Sequence, residues 1–123
     1  MQESSGNWWP HMWLIVSTGM STSEEIRAAA QFLDDRSAPY VLLHCQSTYP
    51  AALHNIHLRF MDTLREIHPF VGYSGHERGI AVSIGAVAMG AILIERHITL
   101  DREMEGPDHA ASLEPEEFKA LVS

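Results

Sequence analysis

From Trp13 onward the chain alternates four times between a short apolar run and an amphipathic stretch. Trp13 to Ser17 is continuous apolar sequence ending in a hydroxyl, the pattern of a parallel strand buried on both faces. Thr22 and Glu25 have the spacing of a capping box, ahead of a helical face made by Ile26, Ala30 and Leu33. Tyr40 to His44 predicts a second strand, and Ile56, Phe60, Leu64 and Ile67 predict a helix from about Asn55 to Ile67. Val71 to Ser74 predicts the third strand, and Ala91 to Glu95 the fourth. Between them, Gly79 to Gly90 predicts a crossover helix rich in small residues (Ala81, Gly85, Ala86, Ala88), with Gly90 suited to its C-terminal cap. Glu114-Pro115-Glu116-Glu117 opens a last helix, with proline in the first turn and acids at the positive end of the dipole. Strand followed by helix, repeated, predicts an α/β fold with a parallel sheet.

This pattern changes what two histidines mean. His76 follows the third apolar run and His97 the fourth, so one crossover helix brings the ends of the two strands side by side and lets both imidazoles converge on one ion. A single histidine near a strand end is more often a hydrogen-bonded structural residue, and only the pair carries the metal reading. His44, His54, His57, His68 and His109 have no such partner in the pattern, although His109 can orient the neighbouring Asp108. Glu77 and Arg78 read as a solvated helix start, and Glu95 and Arg96 as a structural pair below the strand ends.

Composition narrows the classes. With 46% apolar and 20% charged residues the chain is an ordinary globular sequence. Its net charge of −8, with eight Lys and Arg scattered among 16 acids, argues against a nucleic-acid surface. No apolar run reaches membrane-spanning length and no secretory signal is visible, so the expectation is a cytoplasmic protein. The single cysteine, Cys45, reads as an inert thiol at a strand end rather than a nucleophile. Residues 1–12, with Trp8, Trp9, Pro10, His11 and Met12, lack either periodicity and read as an unrelated leader. Such a cluster covers an apolar edge, promotes self-association or arises from a shifted start.

Five ordered strings then resemble one family: Val16-Ser17-Thr18-Gly19-Met20, Leu43-His44-Cys45-Gln46-Ser47-Thr48-Tyr49-Pro50, Gly72-Tyr73-Ser74-Gly75-His76, Glu95-Arg96-His97-Ile98-Thr99-Leu100-Asp101 and Gly106-Pro107-Asp108-His109-Ala110-Ala111-Ser112-Leu113-Glu114-Pro115. They are similar to the sialic acid synthases, over residues 13–123 and over the second half of that family's (β/α)8 TIM barrel. A whole barrel needs roughly 250 residues, so about four βα units, a half barrel, are expected here.

The resemblance implies an enzyme that condenses phosphoenolpyruvate with the aldehyde of N-acetylmannosamine, giving N-acetylneuraminate and phosphate. It implies a divalent metal, Mn²⁺ in the first place with Mg²⁺ or Co²⁺ as substitutes, held by His76 and His97. Asp108 matches a catalytic acid that contacts the sugar and the metal's water shell. Ser17, Ser47 and Ser74 match residues lining the phosphate, and Tyr49 a residue of the sugar pocket. Ser47 stands where some members have Asn. Taken alone, the three serines are ordinary strand-end hydroxyls. The family's phosphate-neutralising lysines and proton-handling glutamate come from earlier strands, and an arginine from a C-terminal domain, so little turnover is expected of this polypeptide by itself. A noncatalytic metal-binding or self-assembling half-barrel, and a synthase for legionaminate or pseudaminate, are the other readings. The open edges of a half barrel predict a homo-oligomer.

Overall fold

The computed structural model describes residues 12–45 and 56–123. Four strands, β1 (Leu14–Ser17), β2 (Tyr40–Cys45), β3 (Val71–Gly75) and β4 (Ile94–Arg96), form one parallel sheet in the order β1-β2-β3-β4. The helices are α1 (Ser23–Asp35), α2 (Phe60–Ile67), α3 (Ala81–Ala88) and α4 (Pro115–Val122). A 3₁₀ turn at His109–Ala111 precedes α4.

Side chains on a strand alternate between faces, and the two faces of this sheet have different roles. Tyr40, Leu42, Val71 and Tyr73 share a core with Ile26 and Ala30 of α1, Met61 and Leu64 of α2 and Ala86 of α3. Leu42, Met61, Leu64 and Ala86 are fully buried. The register places Cys45 beside Ser74 and Ser74 beside Glu95, one polar row on the opposite face. That face is the concave side of a half barrel, where helices do not pack and substrate chemistry gathers in barrel proteins.

Local sequence explains three of the helix ends. The Thr22 hydroxyl accepts from Glu25 N and the Glu25 carboxylate from Thr22 N, closing the expected capping box. Glu114 and Glu117 form the same reciprocal arrangement around Pro115. At the end of α3, Gly90 takes φ 99°, with Ala91 N donating to Ala86 O and Gly90 N to Val87 O, which is the Schellman arrangement. Residues after this cap must first extend, so the assigned fourth strand begins at Ile94 rather than Ala91. Ladder bonds nevertheless start earlier, from Ile92 N to Val71 O and Tyr73 N to Leu93 O.

The second helix departs from the periodicity. It starts at Phe60, not Asn55, because His57 has φ 50° and Leu58 and Arg59 form a turn ahead of the helix. Ile56 is buried as an approach residue and not as part of the helical stripe.

Candidate functional site

The site lies at the C-terminal ends of β3 and β4. His76 is the first residue beyond Gly75 and His97 the first beyond Arg96, and their rings stand 5.7 Å apart between centroids at 76°. Metal–imidazole bonds of about 2.0–2.1 Å, with the ring radius added, allow two rings on one ion to have centres up to roughly 6.5 Å apart. The observed separation therefore suits a shared divalent ion, and a neutral imidazole pair leaves coordination positions for water and substrate oxygens. Among the described residues no third His, Cys, Asp or Glu joins them in a metal-holding group.

Ser74 and Cys45 approach the His76 ring nitrogens. Ser74 Oγ donates to Glu95 Oε1 at 2.6 Å and lies 3.3 Å from His76 Nε2. Cys45 Sγ is 3.9 Å from each ring nitrogen, so the thiol assigned as an inert strand-end group touches the site. Ser74 and His76 are buried, while Glu95 is open on the concave face. A serine whose single proton is committed to Glu95 meets a phosphate only by giving that bond up.

The other expected residues are placed as follows. Ser17 stands exposed at the end of β1, on the far side of β2 from Ser74. Asp108 is exposed just before the 3₁₀ turn, and its carbonyl accepts from Ser112 Oγ at 2.6 Å. His109 does not orient it: its Nδ1 pairs with Thr99 Oγ1 at 2.6 Å. Ser47 and Tyr49, like His54 and the leader through His11, lie outside the described residues. His44, on the helix-packed face, holds Ile56 O at 2.6 Å. Burial lowers its pKa from 6.5, outweighing the opposing effect of that carbonyl.

The charged pairs differ from the expectation drawn from neighbouring positions. Glu77 is not part of a solvated helix start but fully buried, and Arg96 pairs with it at 3.3 Å instead of with Glu95. The reason is the strand period: Glu95 and Arg96 are adjacent and must face opposite sides of the sheet. Arg96 also donates to Glu77 O and Gly79 O at 2.6 Å each, and to Ser83 Oγ and Ala111 O at 3.3 Å each. Tyr73 donates to Glu77 Oε1 at 2.6 Å, and burial pushes its hydroxyl pKa up. One guanidinium thus joins the segment after His76, the strand before His97 and the loop bearing Asp108. The same period-two reading of Ser74-x-His76 and Glu95-x-His97 would have placed Glu95 beside the histidines.

Four parallel strand-helix units with polar side chains collected at one end of the sheet define the class, a portion of a β/α-barrel protein. The NeuB family model matches residues 11–123. The chain belongs to the NeuB family. It is 47% identical over 114 residues to the N,N'-diacetyllegionaminic acid synthase of Campylobacter jejuni, covering 89% of this chain and 34% of that one. Against the human N-acetylneuraminate-9-phosphate synthase it is 40% identical over 111 residues, covering 89% and 31%. The crystal structure of the sialic acid synthetase of Leptospira borgpetersenii in complex with citrate superposes with a TM-score of 0.83 at 38% identity. That match covers 88% of this chain and 38% of the other. The chain spans about a third of the length of the curated relatives it matches.

Proposed function

We propose that the chain forms the metal- and sugar-binding part of a synthase that joins phosphoenolpyruvate to an N-acetylated amino sugar. The product of the reading with N-acetylmannosamine is N-acetylneuraminate, with phosphate released. The observation that carries this is the His76–His97 pair at adjacent strand ends, 5.7 Å apart. It is supported by synthases among relatives at 40–47% identity.

A divalent ion, Mn²⁺ or in its place Mg²⁺ or Co²⁺, supplies Lewis acidity at the sugar's aldehyde oxygen. His76 and His97 hold it through neutral nitrogens. Asp108 orients sugar hydroxyls and water from the loop after β4, Ser17 and Ser47 donate to the phosphoenolpyruvate phosphate, and Ser74 does so on giving up its bond to Glu95. Tyr49 packs on the sugar. The carbon–carbon bond forms between the methylene of phosphoenolpyruvate and the aldehyde carbon, and water supplies the oxygen that replaces phosphate. The chain's only lysine, Lys119, lies on α4, so a lysine that pairs with the phosphate has to come from elsewhere in the assembly.

The sugar is tested directly by following water proton relaxation in the Mn²⁺-loaded chain during titration with phosphoenolpyruvate and then with N-acetylmannosamine. Precursors of legionaminate and pseudaminate serve as comparators. A change with one sugar, lost in Asp108→Ala, is the expected result. Indifference to every sugar would remove the synthase reading and leave a noncatalytic metal-binding half-barrel.

Self-association belongs to the same reading. Trp13 and Ile15 on the outermost strand segment are 58% and 54% exposed, and an open parallel edge invites a second copy. A homo-oligomer in the cytoplasm is the form we propose.

A further inference from the structure

We propose that two copies of this chain close one eight-stranded barrel, β1 of each copy pairing in parallel with β4 of the other. This rests on the self-association proposed above and gives it a seam, a register and a stoichiometry; it does not depend on the synthase chemistry. The sheet ends in two open edges. Bonds from Leu14 N to Pro39 O and from Thr18 N to Leu43 O turn the even-numbered residues of β1 toward β2, so the backbone groups of Trp13, Ile15 and Ser17 point away from the sheet. On β4 the bond from Tyr73 N to Leu93 O turns the odd-numbered residues toward β3, and Ile94 and Arg96 present theirs outward. Among the described residues no strand pairs with either row.

Apolar surface lies beside both edges. On the concave face Trp13, Ile15 and Phe70 are 42–58% exposed, where a closed barrel is filled by side chains. On the helix side, α2 packs on both β2 and β3, the seat of a helix between its own strand and the next. The helix α4 has β4 but no next strand, and it buries none of its residues. What remains is a cavity of about 190 Å³ lined by Val87, Ile94, Arg96, Phe118, Leu121 and Val122. Leu14 and Val16 already turn to the helix side of β1, so a strand β1 laid along β4 directs them into that cavity. Trp13, Ile15, Phe70, Val87, Phe118 and Val122 together offer roughly 600 Å² of exposed side chain per copy before any backbone, most of the about 800 Å² per partner of a stable interface.

Closure fixes the register. Ser17 stands level with Leu43, Leu43 with Gly72 and, one residue short of the Tyr73–Ile94 pair, Gly72 with Leu93. A (β/α)8 barrel returns to its first strand about eight residues out of step, or about four for each two-fold half. Leu93 therefore faces the second copy's Trp13, since a step the other way lands on Ser21, beyond the strand. Ile94 then faces Leu14, Glu95 faces Ile15 and Arg96 faces Val16. In this register the outward backbone groups of Ile94 and Arg96 meet those of Ile15, as a parallel ladder requires. The same step carries the second copy's Ser17 to the level of His97. The two copies share one mouth, and each histidine pair is bordered by a residue of the other copy.

The test uses engineered disulfides in the full chain, with Cys45→Ser to remove the native thiol. Leu14→Cys with Ile94→Cys sets two sulfurs on opposed positions across the seam, whereas within one copy the two strands are about 14 Å apart and cannot be bridged. Oxidation should give a covalent dimer and no longer ladder, because closure leaves no free edge. Val16→Cys with Ile94→Cys, two residues out of step and about 8 Å apart across the seam, should run as a monomer on a non-reducing denaturing gel. Sedimentation equilibrium of the unaltered chain, which needs no substitution, should give the mass of two 13.8 kDa chains. A ladder, crosslinking indifferent to register, or a dimer whose matched pair does not crosslink would overturn the closed barrel while self-association stands. An unaltered chain that sediments as one copy would overturn both.

Discussion

Arg96 shows how a residue remote from the chemistry can hold it together. Its guanidinium and the Glu77 carboxylate are both fully buried, and it ties the segment after His76 to the loop that follows Asp108. Removing one member of a buried pair strands the other charge, a loss of about 3–5 kcal/mol. Arg96→Met should therefore lower the urea midpoint sharply, whereas Arg96→Met with Glu77→Met should recover much of the loss. His44 gives the chain a pH dependence of known sign. Its folded-state pKa lies below the unfolded value near 6.5, so the unfolded chain takes up the proton first. This contribution to stability is complete above about pH 6.5 and declines as the pH falls below that value, until the folded ring also protonates. Urea midpoints measured from about pH 7.5 to 5.5 should fall less steeply in His44→Gln than in the parent chain.

Between β3 and β4 the elements meet at a glycine. A Cβ on Gly72 would stand 2.4 Å from Leu93 O and 2.8 Å from Leu43 Cδ2, so the backbone leading into β4 must shift and the Leu43 side chain on β2 must turn away. Gly72→Ala should cost about 1–3 kcal/mol in stability and weaken metal binding, because β3 and β4 carry one histidine each. Thermal unfolding and Mn²⁺ titration on the same sample separate the two effects. The elements were unevenly legible in the sequence. The start of α1 was, because the Thr22–Glu25 box is local chemistry. The start of α2 was not, because the left-handed His57 interrupts an apolar spacing that continues through it. The histidine pair could be read from strand ends alone, but the burial of Glu77 depends on Arg96 arriving from another strand, which no local pattern contains.

On the scale of the whole molecule, one face of the sheet is packed by helices and the other carries the polar row Cys45, Ser74 and Glu95. The likeness to a sialic acid synthetase at TM-score 0.83 covers 38% of that larger chain, so the half barrel keeps the curvature of a structure that continues beyond it. The exposed Trp13 and Ile15 predict association: light scattering should give a mass above that of one chain, and Ile15→Lys should reduce it. The central claim is that this half barrel alone brings two imidazoles to one ion. Electron paramagnetic resonance during a Mn²⁺ titration tests it most directly, with His76→Ala and His97→Ala run beside the unaltered chain. Saturable binding at one site per chain, lost in both variants, is the predicted result; absent binding, or binding indifferent to both substitutions, would contradict it.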